Sequence, residues 1–191
     1  MSLKSEQIVK NTKKYFQTAQ EQGFMNDDLM QILGENFIKA PASTMKDLNN
    51  AFEGGLIDHL LRVTKYAVSI NESVLSESLK LDKKSIIKVC FLHQIGKANL
   101  YTPCTSEWHR TNQGKMYEFN DDMISMRVGE RSAYYALGNN IALSEEEYQA
   151  ILNYDKDADD KQSKYHTSTL GTLLKMANEL AIIEEKNLHA L

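Results

Sequence analysis

The chain has 191 residues, 42% of them hydrophobic and 25% charged, with a net charge of −4. This is enough for one globular domain with a sizeable core, and it excludes low-complexity and fibrous classes. The acidic balance gives no basic footprint for general duplex DNA binding. No run approaches the ~20 apolar residues of a membrane span.

Two prolines and nine glycines predict long helices with few breaks. The N-terminal stretch "MSLKSEQIVK" lacks the apolar core of a signal peptide. Cys90 and Cys104 are too few for a disulfide framework, so both are expected as reduced thiols in a cytoplasmic protein.

In chain order, "SEQIVKNTKKYFQTAQEQG" places Ile8, Val9 and Phe16 at helical spacing and stops at Gly23. A short helix follows Asn26 through Leu29, Met30, Ile32 and Leu33 to Gly34. In "APASTMKDLNNAFEGG", Ser43 or Thr44 is a candidate N-cap for a helix ending near Gly54. "LIDHLLRVTKYAVSI" is a long amphipathic helix, and Asp82 or Ser85 starts "IIKVCFLHQI", which Gly96 closes. Residues 98–120 predict a long loop, with a small hairpin across "EWHRTNQGKMYEF". Helices resume over "DMISMRVGERSAYYAL", and Ser144 with Glu147 forms a capping box for "EEEYQAILNY". "DKDADDKQSK" reads as a solvated loop, and the last helix runs from about Thr167 to Lys186. The fold class expected is all-α, in one domain. Residues 1–40 form a helical extension before a core spanning 45–182.

Three of these helices aim polar side chains inward. His59 shares a face with Leu56, Leu60, Val63 and Ala67. His93 lines up with Ile86, Val89 and Cys90, and Asn178 lies four residues after Leu174 on the stripe of Leu170, Leu173, Leu174, Ala177 and Ala181. A buried polar group is costly unless something pairs with it. Either each of the three is separately hydrogen-bonded in the core, or they share a pocket.

The ordered segments "FEGGLIDHLLRV", "FLHQIGK", "RVGERSAYYAL", "LSEEEYQAILNYD" and "LLKMANELA" resemble the HD-domain metal-dependent phosphohydrolase superfamily, in particular short bacterial and bacteriophage members. The resemblance spans about Met45 to Ile182 and implies a helical bundle with a central metal pocket. By that resemblance His59 matches the first metal ligand. His93 and Gln94 match the paired His-Asp, and Asn178 matches the final aspartate. Val128 and Tyr154 stand where related short members place auxiliary histidines. Lys97 and Arg131 match basic positions that hold substrate phosphate in active members.

Both motif carboxylates are therefore amides here, and two neutral imidazoles with two amide oxygens do not offset the charge of a divalent ion. No bound cofactor is expected. If one is present, it is a divalent metal such as Fe, Mn, Ni, Zn or Mg, its shell completed by water or by a borrowed carboxylate. Asp58, Asp155 and Glu130 are the nearby acids, although Asp58 is expected to pair with Arg62 at i,i+4. His109 reads as a loop-surface residue, with Trp108 beside it either capping the pocket or packing; His166 lies near the last helix's N-cap, and His189 in a frayed tail.

Three functions follow as expectations. The first is an eroded HD-type site that binds a phosphorylated ligand, a nucleotide or oligonucleotide end, with little or no hydrolysis. The second is a phosphohydrolase acting on nucleotides or nucleic acid with a non-standard ligand set. The third is an interaction protein on the same fold. The sequence leaves the oligomeric state open.

Overall fold

The computed structural model describes residues 5–155 and 166–190, with side chains through 188. The expectation for most of "DKDADDKQSK" falls outside the described residues, and His189, expected in a frayed tail, lies in the last helical turn. The fold is all-α. Its helices are α1 (Ser5–Glu21), α2 (Asp27–Lys39), α3 (Gly55–Ser73), α4 (Lys83–Leu92), α5 (Glu107–Gln113), α6 (Val128–Gly138), α7 (Glu145–Asn153) and α8 (Thr169–Ala190). Strands β1 (Tyr101–Pro103) and β2 (Tyr117–Phe119) pair antiparallel, with Tyr101 opposite Phe119. Among the described residues no helix is long and apolar enough to cross a membrane.

Helix α3 is the axis of the bundle. It packs against α8 and α4 most extensively, and against α1 and α2. Its stripe of Leu56, Leu60, Val63 and Ala67 is fully buried, and it meets Leu170, Leu173, Leu174, Ala177 and Ala181 of α8 in the same core. Helices α6 and α7 pack on each other, and α7 closes against α4 and α8. The helix starts follow their local chemistry. Asn26 accepts from Leu29 N–H (2.9 Å), Asp82 from Ser85 N–H (2.9 Å), and Ser144 with Glu147 forms the reciprocal capping box.

Five segments depart from the sequence expectations. In α1 the buried face is Asn11, Tyr15 and Ala19, while Val9 is 65% exposed. The aromatic payload of Tyr15 outweighs the aliphatic pair that suggested the other face. Gly34 interrupts α2 with φ +57°, as a helix stop would, but helical geometry resumes beyond it to Lys39. Residues 43–54 form no helix. Ser43 Oγ donates to Asn49 O (2.6 Å), and Thr44 O accepts from Met116 and Tyr117 N–H (2.9 and 3.1 Å), so the backbone is committed to the β2 segment. In the 98–120 region the hairpin expected across "EWHRTNQGKMYEF" does not form: "EWHRTNQ" is helix α5, capped by Ser106, and β2 at the end of that stretch pairs with β1, which precedes it. Helix α6 likewise starts at Val128 and not at Asp122.

The first two helices are part of the main core. Tyr15 is fully buried, its ring stacks on Phe91 (centroids 4.5 Å, 12°), and its hydroxyl donates to Phe91 O (2.8 Å). Phe24 and Phe37 meet the same pair edge-on or tilted. Because Phe91 lies two residues before His93, α1 buttresses the turn that carries the polar cluster. Tyr15→Ala should lower unfolding free energy by about 3–5 kcal/mol in chemical denaturation; a loss under about 1 kcal/mol would mean that α1 is a detachable extension.

Candidate functional site

The polar side chains of three helices meet at the end of α4. His59 (α3), His93 and Gln94 (the turn after α4) and Asn178 (α8) are buried, at 0, 0, 2 and 6% exposure. His59 Nε2 lies 3.0 Å from Asn178 Oδ1, and Gln94 Nε2 lies 3.2 Å from both atoms; the three form a triangle of contacts in which, for either protonation state of the ring, two sides are hydrogen bonds. Lys97 fixes the Gln94 amide by donating from Nζ to Oε1 (2.7 Å), which turns the NH₂ group toward the triangle. On the other side of the His59 ring, Nδ1–H donates to the Glu185 carboxylate, 3.0 Å from each oxygen.

His93 stands apart from the triangle, its ring centroid 6.3 Å from that of His59. Its Nδ1–H donates to Cys90 O (2.9 Å), which fixes the tautomer and aims Nε2 inward. That Nε2 is buried and has no hydrogen-bond partner among the described residues. Tyr154 lies edge-on against the ring, with centroids 4.7 Å apart. Burial, and then the charge of neighbouring His59, push the His93 pKa down to about 3. Burial also lowers Lys97 to about 8, partly offset by the negative charges of Asp155 and Glu185.

The turn itself is set by close packing. A side chain on Gly96 would meet Val128 O at 2.6 Å, so only glycine lets the "HQIG" turn approach the start of α6 so closely. Ser132 of α6 locks the approach: its hydroxyl accepts from Gly96 N–H (2.9 Å) and donates to His93 O (3.0 Å). Val128, half-buried at the start of α6, contributes its carbonyl to this seam.

The remaining candidates fall into place around this cluster. Lys97 belongs to it and also donates to Ala42 O (2.6 Å). Arg131 is buried, but its guanidinium is turned to Ile124 O and Met123 Sδ instead of the cluster. Asp58 accepts from Asn11, Asn50 and Arg62, the last as expected at i,i+4 (3.2 Å). Glu130 is exposed and caps α6 through Arg127 N–H (3.3 Å). Asp155 and His166 are exposed, and Trp108 is 60% exposed on α5. His109 is half-buried on the same helix, no longer a loop residue.

Sequence reasoning missed Glu185, a fully buried acid at the centre of the site. A signal was present, since Glu185 lies four residues after Ala181 and extends the buried stripe of α8. Ser132 was missed as well; nothing in its spacing marks it.

The donor set does not fit a divalent cation. The one nitrogen of His59 that faces inward is engaged in the triangle, Gln94 presents hydrogens there, and the Lys97 ammonium sits 2.7 Å behind that amide. Neither Gln94 nor Asn178 brings negative charge. Among the described residues no three His, Cys, Asp or Glu side chains are grouped to hold a metal ion. No protein-family model, curated protein or solved structure matches the chain.

The depressed pKa of His93 has a defined pH consequence. Below pH ~6.5 the unfolded chain takes up a proton that the folded chain refuses. This group therefore removes stability as pH falls from ~6.5 toward about 3, at up to about 1.4 kcal/mol per pH unit, and leaves it unchanged above ~6.5. The His93 ring resonances should stay unshifted in NMR titration down to about pH 4. A midpoint near 6 would show that the ring is open to water.

Proposed function

We propose that the protein is a non-hydrolytic member of the HD superfamily, in which the metal position has been rebuilt as a hydrogen-bonded polar core. The observation that carries this reading is the triangle of His59 Nε2, Gln94 Nε2 and Asn178 Oδ1, with sides of 3.0–3.2 Å. Metal-ligating histidines commonly donate their second ring N–H to a carboxylate or a backbone carbonyl. His59 does so to Glu185 and His93 to Cys90 O. The supporting contacts of a ligating pair are thus present, while the charged ligands between them are replaced by amides. Activating a water for attack on phosphorus needs a metal held at neutral pH, and a set with amides at both motif carboxylate positions does not provide for that.

A phosphorylated ligand is the second part of the reading, and Lys97 favours it. Its ammonium has three donors, and two go to Ala42 O and Gln94 Oε1. The third has no hydrogen-bond partner among the described residues, and an anion is the partner that its charge would favour. With Arg131 held by the 123–124 backbone and sulfur, the expected two-cation grip reduces to one point charge. A nucleotide or an oligonucleotide end would then be held through a single phosphoryl group.

Thermal shift tests both parts. Wild type should gain nothing from Mn²⁺, Ni²⁺ or Zn²⁺ and should be stabilised by inorganic phosphate or nucleoside phosphates, a gain that Lys97→Met removes. The double variant Gln94→Asp with Asn178→Asp should become metal-responsive, because it returns two charges to the two imidazoles. Saturable metal stabilisation of wild type together with nucleotide turnover would overturn the non-hydrolytic reading. Absence of any anion response would leave an interaction protein on this fold.

A further inference from the structure

Helix α8 docks in two chemically different ways. Its first half is held by the apolar stripe from Leu170 to Ala181. Beyond Ala181 the fully buried side chain is Glu185, while Ile183 and Leu188 are 55 and 46% exposed. What holds this half on α3 is a polar cluster centred on Arg62. Arg62 Nη1 donates to Glu184 (2.7 Å), Nη2 to Asp58 (3.2 Å), and Nε lies 3.3 Å from Glu185 Oε1. Tyr66 also donates to Glu184 (2.7 Å), which holds that carboxyl below its usual range. One guanidinium therefore binds three carboxylates together, and one of the three is the carboxylate that orients His59.

We propose that Arg62 is the keystone of an ionic latch by which the last turns of α8, residues 182–188, open and close as a local unit. Local opening free energies follow the contacts a segment makes, and segments with few buried apolar contacts open first. The last turns of α8 have few such contacts. Without Arg62 the repulsion among the three carboxylates is offset less, by Lys65 near Glu184 and the His59 N–H at Glu185, so closure depends chiefly on Arg62. Opening of the latch withdraws Glu185 from His59 Nδ1, so the C-terminal end of α8 and the polar cluster are one coupled unit. Arg62 and Glu184 are partly exposed, at 21 and 32%, so salt reaches the outer arm of the latch more readily than the inner one. This device stands independently of any ligand or metal at the site.

Hydrogen exchange followed by mass spectrometry tests the latch on the full chain. Arg62→Met keeps the aliphatic stem and should speed exchange over 182–188 about tenfold or more, with α4 unchanged. Tyr66→Phe removes one arm and should give a smaller increase over the same residues, which keeps the test open if the arginine variant folds poorly. In wild type, exchange of this segment should rise between ~0.01 and ~1 M salt, as the screening length falls from about 30 to about 3 Å. Unchanged exchange over 182–188 in both variants, or equal acceleration throughout the chain, would overturn the proposal.

Discussion

The imidazole of His59 is the constraint around which the bundle is arranged. It is fully buried in α3, and both ring nitrogens face α8, one toward Glu185 and the other toward Asn178. A buried ring with two polar edges needs a partner at each, or the desolvation cost of the unpaired edge falls on the fold. The register of α8 against α3 must therefore satisfy the ring as well as the apolar stripe. The seven-residue interval between Asn178 and Glu185 puts both on the same face two turns apart. Gln94 and Lys97 extend the chain of contacts to the turn after α4, and Ala42 O ties in the 40–54 loop. Such a network is of high consequence for stability, since removing one member strands the next.

The apolar organisation was readable from the sequence because it rests on periodicity. The faces of α3, α4 and α8, the caps at Asn26, Asp82 and Ser144, and the stop at Gly23 all follow from local rules. What was not readable depends on pairings between distant segments. Residues 43–54 have a capping residue and suitable spacing, yet Thr44 gives its carbonyl to a strand more than seventy residues away. "EWHRTNQ" reads as part of a hairpin, but Ser106 starts a helix there, between two strands that pair with each other across it.

The site was legible in part for a related reason. His59, His93 and Asn178 stand out as polar residues on apolar faces, and Gln94 by its place beside His93. Glu185 sits on such a face too, but an acid among the charged residues near a helix end reads as solvated. Arg131 shows the opposite error: a basic residue beside a lining segment suggested an anion site, yet the guanidinium is turned to Met123 and Ile124. Position along a helix gives the direction of a side chain's base, while the head of a long side chain goes where its acceptors are. The orientation of the two histidines is the most informative feature left. Each has its Nδ1 fixed by a carboxylate or carbonyl and its Nε2 aimed inward, yet among the described residues no carboxylate joins them in a metal-holding group.

The central claim is that His59, Gln94 and Asn178 are held by hydrogen bonds among themselves and to Glu185 and Lys97, in place of a metal ion. Elemental analysis of protein purified without chelator addresses it most directly. Iron, manganese, nickel and zinc should each be far below one equivalent per chain, and His59→Ala should leave those levels unchanged. Near-equimolar metal that disappears in His59→Ala would show that the two imidazoles still ligate an ion, and would contradict the account.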